Sequence, residues 1–137
     1  MITFRNWLRV NTVSTIHCFV RFTGYTTSTM SDVKLLVDNK IEEKKVMVFS
    51  KSTCPYCTKA KAVLKKYIGD GEILSAEEYE VMEIERDSRC SAIQDYLLKI
   101  TGGRSVPRVF INGKFLGGGD ETVAADKSGE LKSLLKA

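Results

Sequence analysis

Two cysteines at the junction of a predicted strand and a predicted helix constrain this chain more than any other feature. The run "VMVFS" is short and apolar, which is typical of a buried strand. Cys54 and Cys57 follow it, with Pro55 and Tyr56 between them. Proline suits the first position of a helix, because its missing N–H would have no helical partner there. The residues after Cys57 show the apolar spacing of an amphipathic helix, at Ala60, Val63, Leu64, Tyr67 and Ile68.

This placement predicts different chemistry for the two thiols. Cys54 is expected to face the unpaired N–H groups and the positive dipole end of the helix, and both favour a thiolate. Lys51 adds a positive charge three residues earlier. Cys57, one turn further on, is expected to be less exposed and less acidic, and close enough to attack a mixed disulfide on Cys54. We therefore interpret Cys54 as the nucleophile and Cys57 as the resolving thiol of a redox pair.

Two other uses of the pair are weaker. Structural zinc needs four ligands, but the chain has one C-x-x-C pair, and its single histidine, His17, lies far from it. A permanent disulfide would close a very small loop and would remove little chain entropy. Neither alternative explains why the cysteines stand between a strand and a helix.

The net charge of +4 is concentrated at the N-terminus. Residues 1–29 carry three arginines and no acidic residue, are rich in Ser and Thr, and place Phe4, Trp7 and Leu8 on one helical face. This composition is typical of an organellar transit peptide. We expect a mitochondrial destination; the alternatives are a plastid, a disordered extension, or a cytoplasmic protein that begins at Met30. His17 and Cys18 fall inside this segment and receive no functional role.

The rest of the 137-residue chain, 30–137, is predicted to form one domain that is close to neutral. The lysines near the cysteine pair indicate a solvated helix face rather than a nucleic-acid site. They are Lys59, Lys61, Lys65 and Lys66. No apolar run is long enough to span a bilayer, so a membrane protein is not expected.

The remaining elements follow from periodicity and turn signals. Ser31 is predicted to cap a first helix, Gly69 and Gly71 to end the second, and Ser128 to cap the last. Asn112-Gly113 predicts a hairpin, and "YEVMEIE" predicts another strand. The order α, β, α, β, α, β, β, α predicts an α/β fold: a four-stranded mixed sheet with helices on both faces.

Several ordered motifs resemble a known family. "FSK" before "CPYC", then "SVPRVFINGKFLGGGDET" and "SGEL", are similar to the dithiol glutaredoxins of the thioredoxin fold. The resemblance covers residues from about 31 to 137 and excludes the first 29. Pro55-Tyr56 between the cysteines differs from the Gly-Pro that thioredoxins usually carry.

The resemblance implies a glutathione site. Lys51, helped by Gln94 and Arg104, would meet the glycyl carboxylate, and the Val106 backbone, before a cis Pro107, would pair with the tripeptide. Asp120 would meet the γ-glutamyl amine. The full implied set is Lys51, Tyr56, Gln94, Arg104, Ser105, Val106, Pro107, Gly119, Asp120 and Glu121. Ser105 stands where many relatives have Thr, and it keeps the hydroxyl.

The implied activity is glutathione-dependent reduction of protein–glutathione mixed disulfides and protein disulfides. Glutathione would be a co-substrate, electrons would come from NADPH through glutathione reductase, and a monomer with no obligatory metal is expected. One alternative is a carrier in which two subunits share a [2Fe–2S] cluster through Cys54, although Pro55 counts against it. Another is a general thioredoxin-like reductase. Cys90 is interpreted as a spectator thiol, with a regulatory role as the alternative.

Overall fold

The structure is a computed structural model that describes residues 29–69 and 73–137. The predicted presequence, with His17 and Cys18, lies outside these residues apart from its last residue, Thr29. Gly71, a predicted helix stop, also lies outside them.

Nine regular elements follow one another along the described chain. The helices are α1 (Met30–Glu43), α2 (Pro55–Lys65), α3 (Cys90–Thr101), α4 (Gly119–Ser128) and α5 (Glu130–Lys136). The strands are β1 (Val46–Ser50), β2 (Tyr79–Glu83), β3 (Arg108–Ile111) and β4 (Lys114–Gly117). Short 3-10 turns, Ala76–Glu78 and Ile84–Arg86, flank β2. None of the helices described here has the length and apolar character needed to cross a membrane.

The four strands form one mixed sheet in the order β2-β1-β3-β4. β1 and β2 are parallel, with Val46 opposite Tyr79, whereas β1 and β3 are antiparallel, with Val46 opposite Ile111. β3 and β4 form the predicted hairpin, and Asn112 and Gly113 both have positive φ, 51° and 77°. The prediction of a four-stranded mixed sheet is confirmed.

The central strand β1 separates two apolar cores. Val46 and Val48 face one layer, with Leu64 of α2 and Leu131 of α5. Met47 and Phe49 face the other layer, which α1 and α3 cover. Because successive side chains of a strand point to opposite faces, one five-residue strand serves both cores. Helices therefore cover both faces of the sheet, as predicted.

Helix α4 was not predicted. Its buried residues, Gly119, Thr122 and Ala125, are small, so its sequence lacks the apolar periodicity that marks a helix. For this reason the predicted order of elements has no helix between β4 and the last helix. Ser128 is consequently the last residue of α4 and not the residue that precedes the next helix. That residue is Gly129, in the left-handed conformation. The Ser128 Oγ still accepts a 3.4 Å hydrogen bond from the Glu130 N–H.

Two further helix ends differ from the predictions. Thr29, not Ser31, precedes α1, and its N–H donates to the Asp32 carboxylate at 3.0 Å. Helix α2 ends at Lys65, before Gly69. Its apolar spacing continues to Ile68 because the turn after the helix still packs against the core.

Candidate active site

The cysteine pair lies at the junction of β1 and α2. Cys54 occupies the predicted position before the helix, with Pro55 as the first helical residue. Its N–H donates to the Lys51 carbonyl at 3.1 Å, which closes the turn that leads out of β1. The Cys57 N–H donates to the Cys54 sulfur at 3.3 Å. The sulfur of Cys54 is therefore the atom that satisfies a free N–H of the first turn of α2, where a negative charge is stabilised.

The two thiols have different surroundings. Cys54 is partly exposed, whereas Cys57 is completely buried. Burial raises the pKa of the Cys57 thiol, and its hydrogen bond with Cys54 raises that pKa further. Cys54, Cys57 and Cys90 are all free thiols in this structure. Cys54 is thus the accessible sulfur and Cys57 the protected one, as the sequence predicted for their exposure.

A groove of about 330 Å³ lies beside Cys54. The Cys54 thiol donates a weak hydrogen bond, 3.6 Å long, to the carbonyl of Val106 on the wall of this groove. The peptide bond between Val106 and Pro107 is cis, as the resemblance implied. The groove brings together seven of the predicted binding residues and two others. Its lining is Tyr56, Ser105, Val106, Pro107, Arg108, Gly118, Gly119, Asp120 and Glu121.

Lys51, Gln94 and Arg104 do not line the groove but form a hydrogen-bonded chain. The Lys51 ammonium donates to the Gln94 side-chain oxygen at 3.3 Å, and the Gln94 amide donates to the Arg104 carbonyl at 3.0 Å. The Arg104 guanidinium instead turns to α3, where it donates to the Asp95 carboxylate at 2.7 Å. The partner of Lys51 is therefore a neutral amide, whereas the partner of Arg104 is a carboxylate.

The start of α4 forms the opposite wall. The Gly118 N–H donates to the Glu121 carboxylate at 2.8 Å, so Glu121 caps its own helix. A Cβ on Gly119 would lie 2.7 Å from the Tyr56 carbonyl oxygen, which shows how closely α4 approaches α2. Asp120 follows on the exposed surface. This wall presents the N-terminal end of a helix next to one free carboxylate.

Arg108 lines the groove but was not predicted. It is the first residue of β3, and its Nε and Nη2 atoms donate to the Gly103 carbonyl and the Ser105 hydroxyl, both at 3.1 Å. Its guanidinium also lies over the Phe115 ring, 5.4 Å from the ring centre. A charged residue at the head of the apolar strand "RVFI" was the signal available in the sequence.

Among the described residues, no group of three or more His, Cys, Asp or Glu side chains is arranged to hold a metal ion. The chemistry visible in this region is that of two thiols and a polar groove.

The sheet order, the helices on both faces and the C-x-x-C pair at a strand–helix junction define a thioredoxin-like fold. The family model described as "Glutaredoxin" matches residues 46–116. A glutaredoxin-1 of Rhizophagus irregularis is 43% identical over 108 residues, covering 79% of this chain and 99% of that protein. The chain belongs to the glutaredoxin family, which supports a thiol–disulfide oxidoreductase role.

Solved structures agree with this assignment. Oxidised glutaredoxin 2 from Chlamydomonas reinhardtii is 47% identical and superimposes with a TM-score of 0.69, covering 78% of this chain and 94% of that one. A buckwheat glutaredoxin solved as a complex with glutathione is 30% identical with a TM-score of 0.69, covering 81% and 94%. The thioredoxin-like fold is therefore shared along nearly the whole length of both structures.

Proposed function

We propose that this protein uses glutathione to reduce protein–glutathione mixed disulfides and protein disulfides. The observation that carries the proposal is the partly exposed Cys54 sulfur, which accepts the Cys57 N–H at the end of the groove. Helix N–H groups stabilise a thiolate, and the thiolate is the nucleophilic form of cysteine. The known complex of the buckwheat relative with glutathione supports glutathione as the ligand.

In this mechanism the Cys54 thiolate attacks the glutathione sulfur of a protein–glutathione disulfide. The S–S bond breaks, the thiolate of the target protein leaves and takes up a proton, and glutathione remains on Cys54. A second glutathione, as its thiolate, attacks this mixed disulfide. Oxidised glutathione leaves and the Cys54 thiolate is restored, and glutathione reductase would regenerate glutathione with NADPH.

For protein disulfides, the resolving step falls to Cys57. The Cys54 thiolate first attacks the protein disulfide, and one target cysteine leaves as a thiolate that takes up a proton. Cys57 then loses its proton and its sulfur attacks the Cys54 sulfur. The S–S bond to the target breaks, and the second target cysteine leaves as a thiolate that takes up a proton. Two glutathiones then reopen the Cys54–Cys57 disulfide. Burial raises the pKa of the Cys57 thiol, so Cys57 ionises less readily than an exposed cysteine. Cys57 is therefore the resolving thiol, and Cys54 alone makes the first attack.

The groove and the Lys51 chain together suit a tripeptide with two carboxylates and one amine. Lys51, oriented by Gln94, would hold the glycyl carboxylate beside Cys54. The Val106 backbone would pair with the middle of the peptide. At the other end, the first turn of α4 offers N–H groups to the γ-glutamyl carboxylate, and Asp120 can receive its amine. Arg104, whose guanidinium forms an exposed ion pair with Asp95, would add positive charge at the Lys51 end.

The two thiols can be separated by measuring two activities in each of three variants. We expect Cys54→Ser to lose both deglutathionylation and protein-disulfide reduction. Cys57→Ser should keep deglutathionylation, which needs one enzyme thiol plus glutathione, and should lose most protein-disulfide reduction. Cys90→Ser is the matched control and should retain both.

The opposite pattern, in which Cys57→Ser loses deglutathionylation and Cys54→Ser keeps it, would reverse the assigned roles. A visible absorbance spectrum of anaerobically purified protein provides a separate check. Bands of a [2Fe–2S] centre together with little turnover would favour the cluster carrier over the reductase.

We also propose that residues 1–29 act as an organellar presequence ahead of the domain that spans 30–137. The arginines and the absence of acidic residues support this proposal. A fusion of residues 1–30 to a fluorescent protein should enter mitochondria, with plastids as the alternative. The matched control replaces Arg5, Arg9 and Arg21 by Gln and should remain in the cytosol. Diffuse fluorescence from both fusions would contradict the proposal.

A further inference from the structure

The loop between α3 and β3 carries the groove wall that contacts the Cys54 thiol. It runs from Gly103 to Pro107, and its Val106 carbonyl accepts the weak hydrogen bond from Cys54. The loop begins directly after Gly102, the left-handed residue that follows α3. Its position relative to Cys54 depends on side chains that hold its backbone.

Arg108 holds this loop at two points. Its Nε donates to the Gly103 carbonyl and its Nη2 to the Ser105 hydroxyl, so one planar guanidinium joins two positions in the loop. The Gly103 carbonyl also accepts from the Thr101 hydroxyl at 3.2 Å. The Phe115 ring supports the guanidinium from β4. Arg108 thus connects the loop to the rigid hairpin of β3 and β4.

Gly103 shows that room for this guanidinium is built into the fold. A Cβ on Gly103 would lie 1.6 Å from the Arg108 Nη2 atom, which is far inside contact distance. Gly103 does not have the left-handed φ of Gly102, so its backbone alone would accept alanine. The missing side chain at this position makes space for Arg108.

The charge of Arg108 has no ion-pair partner among the described residues, in contrast to that of Arg104, which meets Asp95. Its donors act on a carbonyl and a hydroxyl of the loop. This arrangement suits a side chain that fixes the position of the loop backbone, because a guanidinium presents several donors in a fixed plane.

We propose that Arg108 is a positioning residue that braces the Gly103–Pro107 loop, so that the Val106 backbone is presented to the glutathione moiety beside Cys54. This inference rests on the proposed function. Arg108 acts through the loop and does not take part in sulfur chemistry. Its loss should therefore weaken binding of glutathionylated substrate and leave the chemical steps intact.

The main experiment compares Arg108→Met and Arg108→Lys in a deglutathionylation assay. Arg108→Met keeps a shorter, unbranched apolar stem and removes the hydrogen-bond donors, and it should raise KM about tenfold with kcat close to that of the wild type. Arg108→Lys keeps the charge but cannot reach both acceptors in the same plane, so its KM should be close to that of Arg108→Met. Lys114→Met, which removes an exposed charge from the same hairpin, is the control and should leave KM unchanged.

Gly103→Ala tests the same contact from the other side. It should displace the guanidinium and raise KM to a similar extent. The double variant Gly103→Ala/Arg108→Met should be no worse than either single variant, because all three lose one shared contact. Additive effects in the double variant would contradict this prediction.

Backbone ¹⁵N order parameters over residues 103–106 separate this inference from the proposed function, because they need no activity. Arg108→Met should lower the order parameters of this loop while those of β1 stay unchanged. If the wild type fails to turn over glutathionylated substrate, the proposed function fails, and the order parameters still decide whether Arg108 is a brace. An unchanged KM in Arg108→Met, full rescue by Arg108→Lys, or unchanged loop order parameters would each overturn the inference.

Discussion

Gly119 is the first residue of α4, and it is buried against the backbone of α2. An added Cβ would lie 2.7 Å from the Tyr56 carbonyl oxygen and 3.1 Å from the Tyr56 Cβ. The nearest obstacle is backbone, which cannot turn away as a long side chain can. The missing side chain at this position therefore sets the distance between the two helix starts that border the groove.

We expect Gly119→Ala to lower the free energy of unfolding by about 1–3 kcal/mol, because α4 must move away from α2. Gly118→Ala is the matched comparison. The φ of Gly118, −93°, suits alanine, and the atom nearest to an added Cβ, at 3.2 Å, is the flexible end of Glu121. Gly118→Ala should therefore lose less unfolding free energy than Gly119→Ala. Chemical denaturation of both variants measures the difference, and equal losses would show that the contact with Tyr56 is not the cause.

The sequence predicted the positions of those site residues that are set by their immediate neighbours in the chain. Cys54 and Pro55 follow from the strand–helix junction, which is a local pattern. The role of Arg104 in the glutathione site stays a prediction, and its guanidinium pairs with Asp95, nine residues earlier on helix α3. Arg108 was missed because its role depends on Gly103, whose space is visible only after the loop has folded.

At the scale of elements, local signals predicted existence better than boundaries. The hairpin of β3 and β4 was predictable because Asn112 and Gly113 are among the few residues that accept positive φ readily. Helix α4 was missed because tight packing on α2 requires small residues, which remove the apolar signal. Apolar spacing after α2 predicted the burial of Tyr67 and Ile68 correctly, but burial alone does not require that they be helical.

At the scale of the whole molecule, Asp126 of α4 forms polar contacts with residues just after the end of α2. The Tyr67 hydroxyl, just after α2, donates to the Asp126 carboxylate of α4, which also pairs with Lys66 at 3.0 Å. The tyrosine hydrogen bond, followed by that of Lys66, lowers the pKa of Asp126 below its usual 3.8. The same bond, with burial, raises the pKa of Tyr67 to about 12. Protonation of one partner or ionisation of the other would weaken the link.

The sign of the pH effect differs for the two groups. Asp126 has a depressed pKa in the folded state, so its contribution is present above about pH 4 and is lost as pH falls through the folded value. Tyr67 has a raised pKa, so its contribution is present below pH 10.0 and is lost as pH rises toward about 12. The contact should therefore stabilise the fold between these limits.

We expect Asp126→Asn and Tyr67→Phe each to cost about 1 kcal/mol of unfolding free energy at pH 7, because both groups are partly solvated. Asp126→Asn should also unfold with a shallower pH dependence between about pH 2 and 5. Denaturation midpoints measured across the pH range for both variants and the double variant test this prediction. If the stability of Asp126→Asn falls as steeply at acid pH as that of the wild type, this prediction is wrong.

The position of the hairpin turn indicates where a linker or a fusion partner can be joined to the molecule. β1 runs from Val46 toward Cys54, and β3 runs the other way, so Asn112 lies at the pole of the sheet opposite the thiols. Its side chain donates to the Leu134 carbonyl at 2.9 Å, which brings the last turn of α5 to this same pole. A tether, an electrode linker or a fluorescent partner joined after Ala137 would therefore leave from the far side of the molecule, and the approach to Cys54 would stay unobstructed.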